Sequence, residues 1–158
     1  MDLPPGLIHI VAQTRLFTDA QNYVILRVAL SQAKEAEYLL TQRDESFSAL
    51  VRDKDEATLV LPRAAWEQSR PMLKTLDESP DFRLITFDLP LDLGLVGYLA
   101  TLSGQLAERG VSIFAISAFS RDHILVSADD FDLAWDTLSN FIHACQEKDA
   151  NPGVSSEA

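Results

Sequence analysis

Two glycines, Gly94 and Gly97, sit three residues apart in the stretch LDLGLVGYL, between a β-type run and a helical one. Glycine lets backbone come close to a ligand. A helix that begins there offers free N–H groups, which suit a carboxylate. A turn residue at Gly94 and a packing residue at Gly97 explain the same pair without a ligand, so both readings stand. The remaining reactive side chains give less. His9, His123 and His143 fall in three different elements and form neither an HxH nor an HExxH pair, which argues against zinc. Cys145 is the single cysteine, so neither an intramolecular disulfide nor a cysteine metal cluster can form. Asp129 and Asp130 are adjacent, and a helix start accounts for them better than acid–base catalysis. No GxSxG elbow is present, and no Gly-rich loop ends in Lys-Ser or Lys-Thr, so acyl transfer and P-loop chemistry lack their usual support. No catalytic residue, metal or cofactor is expected.

The elements that must position these residues follow from periodicity. Seven strands are expected: 7–15, 23–30, 47–53, 57–62, 82–89, 111–119 and 123–128. Val24, Leu26, Val28 and Leu30 share one face of the second. The run 111–119 is almost continuously apolar and reads as a central strand. Ser120, Arg121 and Asp122 supply turn chemistry, so 111–128 reads as a hairpin. Four helices are expected at 33–43, 63–69, 95–109 and 130–145. In the third, Leu95, Tyr98, Leu99, Leu102 and Leu106 form a stripe, and Gly110 stands where a left-handed C-terminal cap belongs. Gly104 in its middle costs about 1 kcal/mol relative to alanine, which close packing would explain and simple tolerance would too. In the fourth, Phe131, Ala134, Trp135, Leu138, Phe141, Ile142 and Cys145 line one face, with Ser127 able to cap its start.

The order is ββαββαβαββα. It contains βαββαβ from Tyr23 and βαββα from Phe82, the ferredoxin-like unit and the same unit short of one strand. The fold class is therefore α+β, ferredoxin-like, with two units whose antiparallel sheets carry helices on one face. Two units need eight strands. The strand at 7–15 has no role in the first unit and could supply the missing strand of the second; sequence leaves that swap open. The units are placed at 1–78 and 79–147, with 148–158 as a disordered tail. Small hydrolases also use this fold, but an acylphosphatase site needs an anion loop with Arg and Asn, and the loops here are acidic or apolar.

Composition narrows the partners. The 158 residues hold 13 basic and 24 acidic side chains, a formal charge of −11, and are 47% hydrophobic. That fraction is enough for a real core. The charge disfavours a nucleic-acid or anionic-membrane surface. Residues 80–158 carry 4 basic and 12 acidic groups, against 9 and 12 in residues 1–79. A solvated acidic surface or a site for a cationic ligand would each produce this imbalance. Neither a signal peptide nor a membrane span is visible, so a cytoplasmic location is expected.

The stretch LDLGLVGYLATLSGQLAERGVSIFAISAFSRDHILVSADDFDLAWDTL, Leu91 to Leu138, resembles the ACT domain, a small ligand-binding regulatory module. A glycine-bearing loop, a helix ending in glycine, the GVSIF strand, a short turn with Asp, the ILV strand and a final helix occur in the family's order. It is most similar to the ACT units of CASTOR-type amino-acid sensors and of small bacterial proteins with paired ACT units. Residues 47–66 are similar to the hairpin of the partner unit in that group. The resemblance implies a non-enzymatic regulatory role, an amino-acid effector held at an ACT–ACT interface, and a homodimer. It carries the effector site onto Asp92, Leu93, Gly94, Leu95, Val96 and Gly97, with the strand Ser112, Ile113, Phe114, Ala115, Ile116 and Ser117 beside it. Asp122 matches an acidic turn position that could meet an ammonium or guanidinium group. The alternative is a module that kept the fold, lost the ligand, and acts by dimerisation or protein contact. An exposed Phe114 or Phe119 would favour the alternative; a concave acidic pocket near Gly94 and Asp122 would favour the effector.

Overall fold

The structure is a computed structural model that describes residues 3–42 and 46–151. In chain order the elements are α1 (Pro5–Ala12), β1 (Arg15–Phe17), β2 (Asn22–Ala29), α2 (Ala33–Thr41), β3 (Ala49–Arg52), β4 (Glu56–Pro62) and α3 (Arg63–Ser69). They continue with β5 (Asp77–Glu78), β6 (Phe82–Asp88), α4 (Tyr98–Glu108), β7 (Ile113–Ser117), β8 (Asp122–Ser127) and α5 (Phe131–Ala150). The chain forms two compact units, one of residues 19–84 and one of residues 1–18 with 85–158.

In the unit of residues 19–84, β2 is central. It pairs antiparallel with β4 from Tyr23↔Pro62 to Ala29↔Glu56, and β4 pairs with β3. The other edge of β2 meets β5 at Leu26 and Arg27, then Phe82 and Arg83 at the start of β6. The two-residue β5 is the eighth strand, too short to show in periodicity. Val24, Leu26 and Val28 point to one side because strand side chains alternate. There they form a core with Leu59, Leu61, Ala36, Leu39 and Trp66.

In the other unit, β6 lies between β1 and β8, and β7 forms the outer edge beyond β8. This is the ferredoxin-like order, with the last strand taken from the start of the chain. Ile85 and Phe87 of β6 and Ile124 and Val126 of β8 share one core with Tyr98, Leu102 and Leu106 of α4 and with Ala134, Leu138 and Ile142 of α5. Both helices therefore cover the same sheet face. Fully buried leucines such as Leu102 and Leu138 hold them there; truncating either to alanine costs about 2–5 kcal/mol.

Four expectations are corrected. The run 7–15 is chiefly helix. Its β-branched residues suggest a strand, but Pro5 presets the first helical turn, and a helix stacks Val11 and Ala12 into the core with Leu7 and Ile8 beside them. Only Arg15–Phe17 pairs, on β6. The apolar run 111–119 shortens to β7, an edge strand rather than a central one; its aliphatic residues made it look buried on both faces. The helix expected from Leu95 starts at Tyr98, because Gly97 takes a φ of +87° and breaks the turn before it. The helix expected to end at Cys145 runs to Ala150, so Lys148 to Ala150 are helical rather than tail. There α1 extends its contact surface: Gln146 Nε2 donates to the Ala12 carbonyl at 3.0 Å, and His9 Nδ1 lies 3.0 Å from Asp149. The rest of that expected tail, 152–158, lies outside the described residues. Gly110, at φ +73°, is the left-handed cap the sequence suggests. No helix among the described residues is long and apolar enough to cross a membrane.

Candidate functional site

The connection from β6 to α4 is long, residues 89–97. Asp92 shapes it: its Oδ1 accepts the Gly94 N–H at 2.7 Å, and its carbonyl accepts the Leu95 N–H at 3.0 Å. A Cβ on Gly94 would stand 3.1 Å from that same Oδ1, so glycine keeps the turn tight. Leu91 N–H donates to the Ser120 carbonyl at 2.8 Å, tying the loop to the β7–β8 turn. That turn is closed by Ala118 N–H on the Arg121 carbonyl, also at 2.8 Å.

Between the loop and the turn lies a cleft of about 280 Å³. Asp92, Leu93, Leu95 and Gly97 line one side, and Ser117 and Asp122 the other. Gly94 and Val96 belong to the same loop but do not line the cleft. Ser112, Ile113, Phe114, Ala115 and Ile116 do not line it either. They run away from the turn along β7, and only the strand's last residue reaches the opening. Leu91, Tyr98, Leu99, Ala100 and residues 118–121 line it without having been expected. The signal for 118–121 was the hairpin turn itself, since they are the neighbours of Asp122; Leu91 and 98–100 simply flank the expected loop.

The polarity is mixed. The N-terminus of α4 has no side-chain cap, and its first three residues all line the cleft. Uncapped first-turn N–H groups favour an anion. Opposite, Ser117 Oγ donates to Asp122 Oδ1 at 2.5 Å, which fixes the carboxylate and leaves its second oxygen available. Tyr98 is 2% exposed, with its hydroxyl 2.7 Å from Thr14 Oγ1. Burial pushes its phenol up to about 12; the charge of Asp122 adds to this and the Thr14 bond opposes it, so the ring stays neutral. Arg121 also lines the cleft, with its Nε on Asp88 Oδ1 at 3.0 Å. His123 stands beside it with Nδ1 2.9 Å from Thr86 Oγ1, and burial lowers its pKa. Two apolar lining residues, Leu93 and Phe119, are 72 and 81% exposed, and Val96 of the same loop is 86% exposed, whereas Phe114 is partly buried.

Comparison with known proteins places this geometry. Residues 78–140 match the family model of the ACT domain. No curated protein matches the sequence. Among solved structures, a Vibrio cholerae protein of unknown function, described as a possible transport protein, is 27% identical, with a TM-score of 0.65 over 87% of this chain and 96% of that one. An Agobacterium tumefaciens protein is 24% identical, with a TM-score of 0.63 over 81% and 88%. The ligand-free regulatory subunit of aspartate kinase from Thermus thermophilus has the same fold at 13% identity, with a TM-score of 0.57 over 79% and 95%. The cleft falls inside the matched segment, and the fold is the ferredoxin-like fold of ACT domains.

Proposed function

We propose that this chain is a non-enzymatic, cytoplasmic regulatory protein. It binds a small amino-acid-type effector in the cleft between residues 91–100 and 117–122, and a neighbouring ACT unit in a homodimer covers the opening. The observation that carries the reading is the cleft's two-ended polarity: uncapped helix N–H groups on one side and the Ser117-held Asp122 carboxylate on the other. A free amino acid presents both complementary charges. The ACT-domain match over the same residues supports a regulatory role, as does a fold shared with aspartate kinase regulatory subunits.

The exposed Leu93, Val96 and Phe119 favour the second reading, a ligand-free dimerisation or protein-contact module. Leu93 and Phe119 also line the cleft, so a partner that covers them would close over a ligand, and the two readings divide on whether anything binds. A thermal-shift screen with each of the twenty amino acids decides between them, run beside light scattering at tens of micromolar protein. A ligand at a hundredfold its Kd stabilises by about 2.7 kcal/mol, or roughly 5–10 °C for a domain of this size. At least one amino acid should do this for the parent and fail with Asp122→Ala. A dimer that no amino acid stabilises identifies the contact module. A strictly monomeric mass removes the homodimer.

A further inference from the structure

We propose that the N-terminal arm, α1 with β1, positions the effector loop through Leu7 and Thr14, so that docking of the arm and occupancy of the cleft are linked. The proposal rests on the effector reading of the cleft and adds a control element whose Thr14 lies 84 residues before Tyr98. The loop turns into a helix at just two residues, Gly97 and Tyr98. The arm touches both. A Cβ placed on Gly97 would lie 3.5 Å from Leu7 Cδ2, so Leu7 packs directly behind the residue whose φ of +87° sets the helix start. Thr14 Oγ1 lies 2.7 Å from the Tyr98 hydroxyl, and both residues are almost wholly buried. Thr14 Oγ1 also reaches the Ile10 carbonyl at 3.4 Å within the arm, so it is the buried Tyr98 hydroxyl that loses its partner if the arm leaves, and the bond holds Tyr98 only while the arm is docked. The arm is in turn held by α5, through Val11 and Ala12 in the shared core and the Gln146–Ala12 bond, and by three residues of pairing on β6. Coupling of this kind is reciprocal: a docked arm raises affinity at the cleft, and a ligand seated against Tyr98 and Gly97 holds the arm down.

Residue-resolved amide hydrogen exchange on the full chain tests this without a ligand. Thr14→Val should accelerate exchange at Gly94, Leu95 and Thr101, whose amides hold the loop and the first turn of α4, at least tenfold. The β7–β8 hairpin of the same unit should not change. Thr14→Ser, which keeps the hydroxyl, should restore the parent pattern. Leu7→Ala should give the same pattern more weakly, and carries the test if Thr14→Val fails to fold. Unchanged loop amides overturn the proposal. So does acceleration in the hairpin equal to that in the loop, which marks general destabilisation. Because the readout needs no effector, the local pattern together with a blank amino-acid screen retains the positioning role and discards the effector reading. A positive screen with unchanged loop amides does the reverse.

Discussion

The two units share one frame and differ at the same place in it. In each, a first strand leads to a first helix across the end of a sheet. In residues 19–84 that connection is a single 3-10 turn, Leu30–Gln32, with no glycine, and Gln32 Oε1 accepts the Lys74 N–H at 3.3 Å. In the other unit it is residues 89–97, carrying Gly94 and Gly97, and it opens a cleft. The polar investment is reversed. The first unit places Arg63 in its own frame, with Nε on Asp81 at 2.6 Å, Nη1 on Glu78 at 2.5 Å and Nη2 on the Ser79 carbonyl at 2.8 Å. Arg70 joins it on Glu78 and stacks over Trp66, 5.2 Å from the ring centroid. The fold alone thus does not open the cleft; loop length and the left-handed glycine do, and the unit without them places its charges in a brace.

The largest effect should come from breaking that brace. Arg63 is 20% exposed, so Arg63→Ala removes a mostly buried guanidinium from Asp81, Glu78 and the Ser79 carbonyl and leaves Arg70 alone on Glu78. We expect a loss of about 2–3 kcal/mol in urea unfolding, short of the ~3–5 kcal/mol for a fully buried pair because water reaches part of the network. Acid titration checks the same brace. Hydrogen bonds from Arg70 lead in holding the Glu78 carboxyl down at about 2, against the upward push of partial burial and with help from Arg63. A carboxylate depressed in the folded state contributes its stability in full above its unfolded value. That contribution fades as pH falls from the ordinary 4.5 towards 2. Arg70→Ala should flatten this acid limb; an unchanged limb would show that Glu78 is not braced in solution.

Next comes the glycine that distinguishes the second loop. Gly97→Val forces a β-branched residue into the left-handed region, costing roughly 2 kcal/mol. Since the new Cβ meets Leu7 at an ordinary 3.5 Å, the penalty lies in the backbone rather than in crowding. Gly97→Asn should therefore cost much less. Equal losses for both, measured by urea midpoint with circular dichroism to confirm the fold, would place the cause in packing and weaken the contrast between the loops.

Much of this was legible in the residues. The stripes Tyr98–Leu102–Leu106 and Phe131–Ala134–Leu138–Ile142 have a period that only a helix can bury, and Gly110 marked a helix end by its type. Two other elements were less legible, for physical reasons. Ile8, Ile10 and Val11 carry strand propensity, and only burial against a helix about 130 residues later makes a helix the better state. Strand β5 is two residues fixed by its partner β2, with no pattern of its own. Around the cleft, Gly94 and Gly97 pointed to the loop by their type and Asp122 came with the resemblance to ACT units, while Ser112 to Ile116 were carried in with a strand of which only Ser117 reaches the opening.

The smallest expected effect concerns the other face of α4. Gly104 sits in mid-helix, and a Cβ there would meet nothing within 4 Å. Neither helix of the first unit carries an internal glycine, so the position belongs to the same contrast. With open space and helical φ, Gly104→Ala should stabilise the chain by about 0.5–1 kcal/mol by removing backbone freedom from the unfolded state. That gain should be independent of protein concentration if the face meets water alone. A gain that shrinks or reverses as concentration rises, together with a sedimentation profile shifted towards monomer, means that a second copy packs its backbone against this glycine. The space beside Gly104 is then a contact surface kept small for that copy, and the dimer is built on the α4 face rather than on the exposed Leu93, Val96 and Phe119.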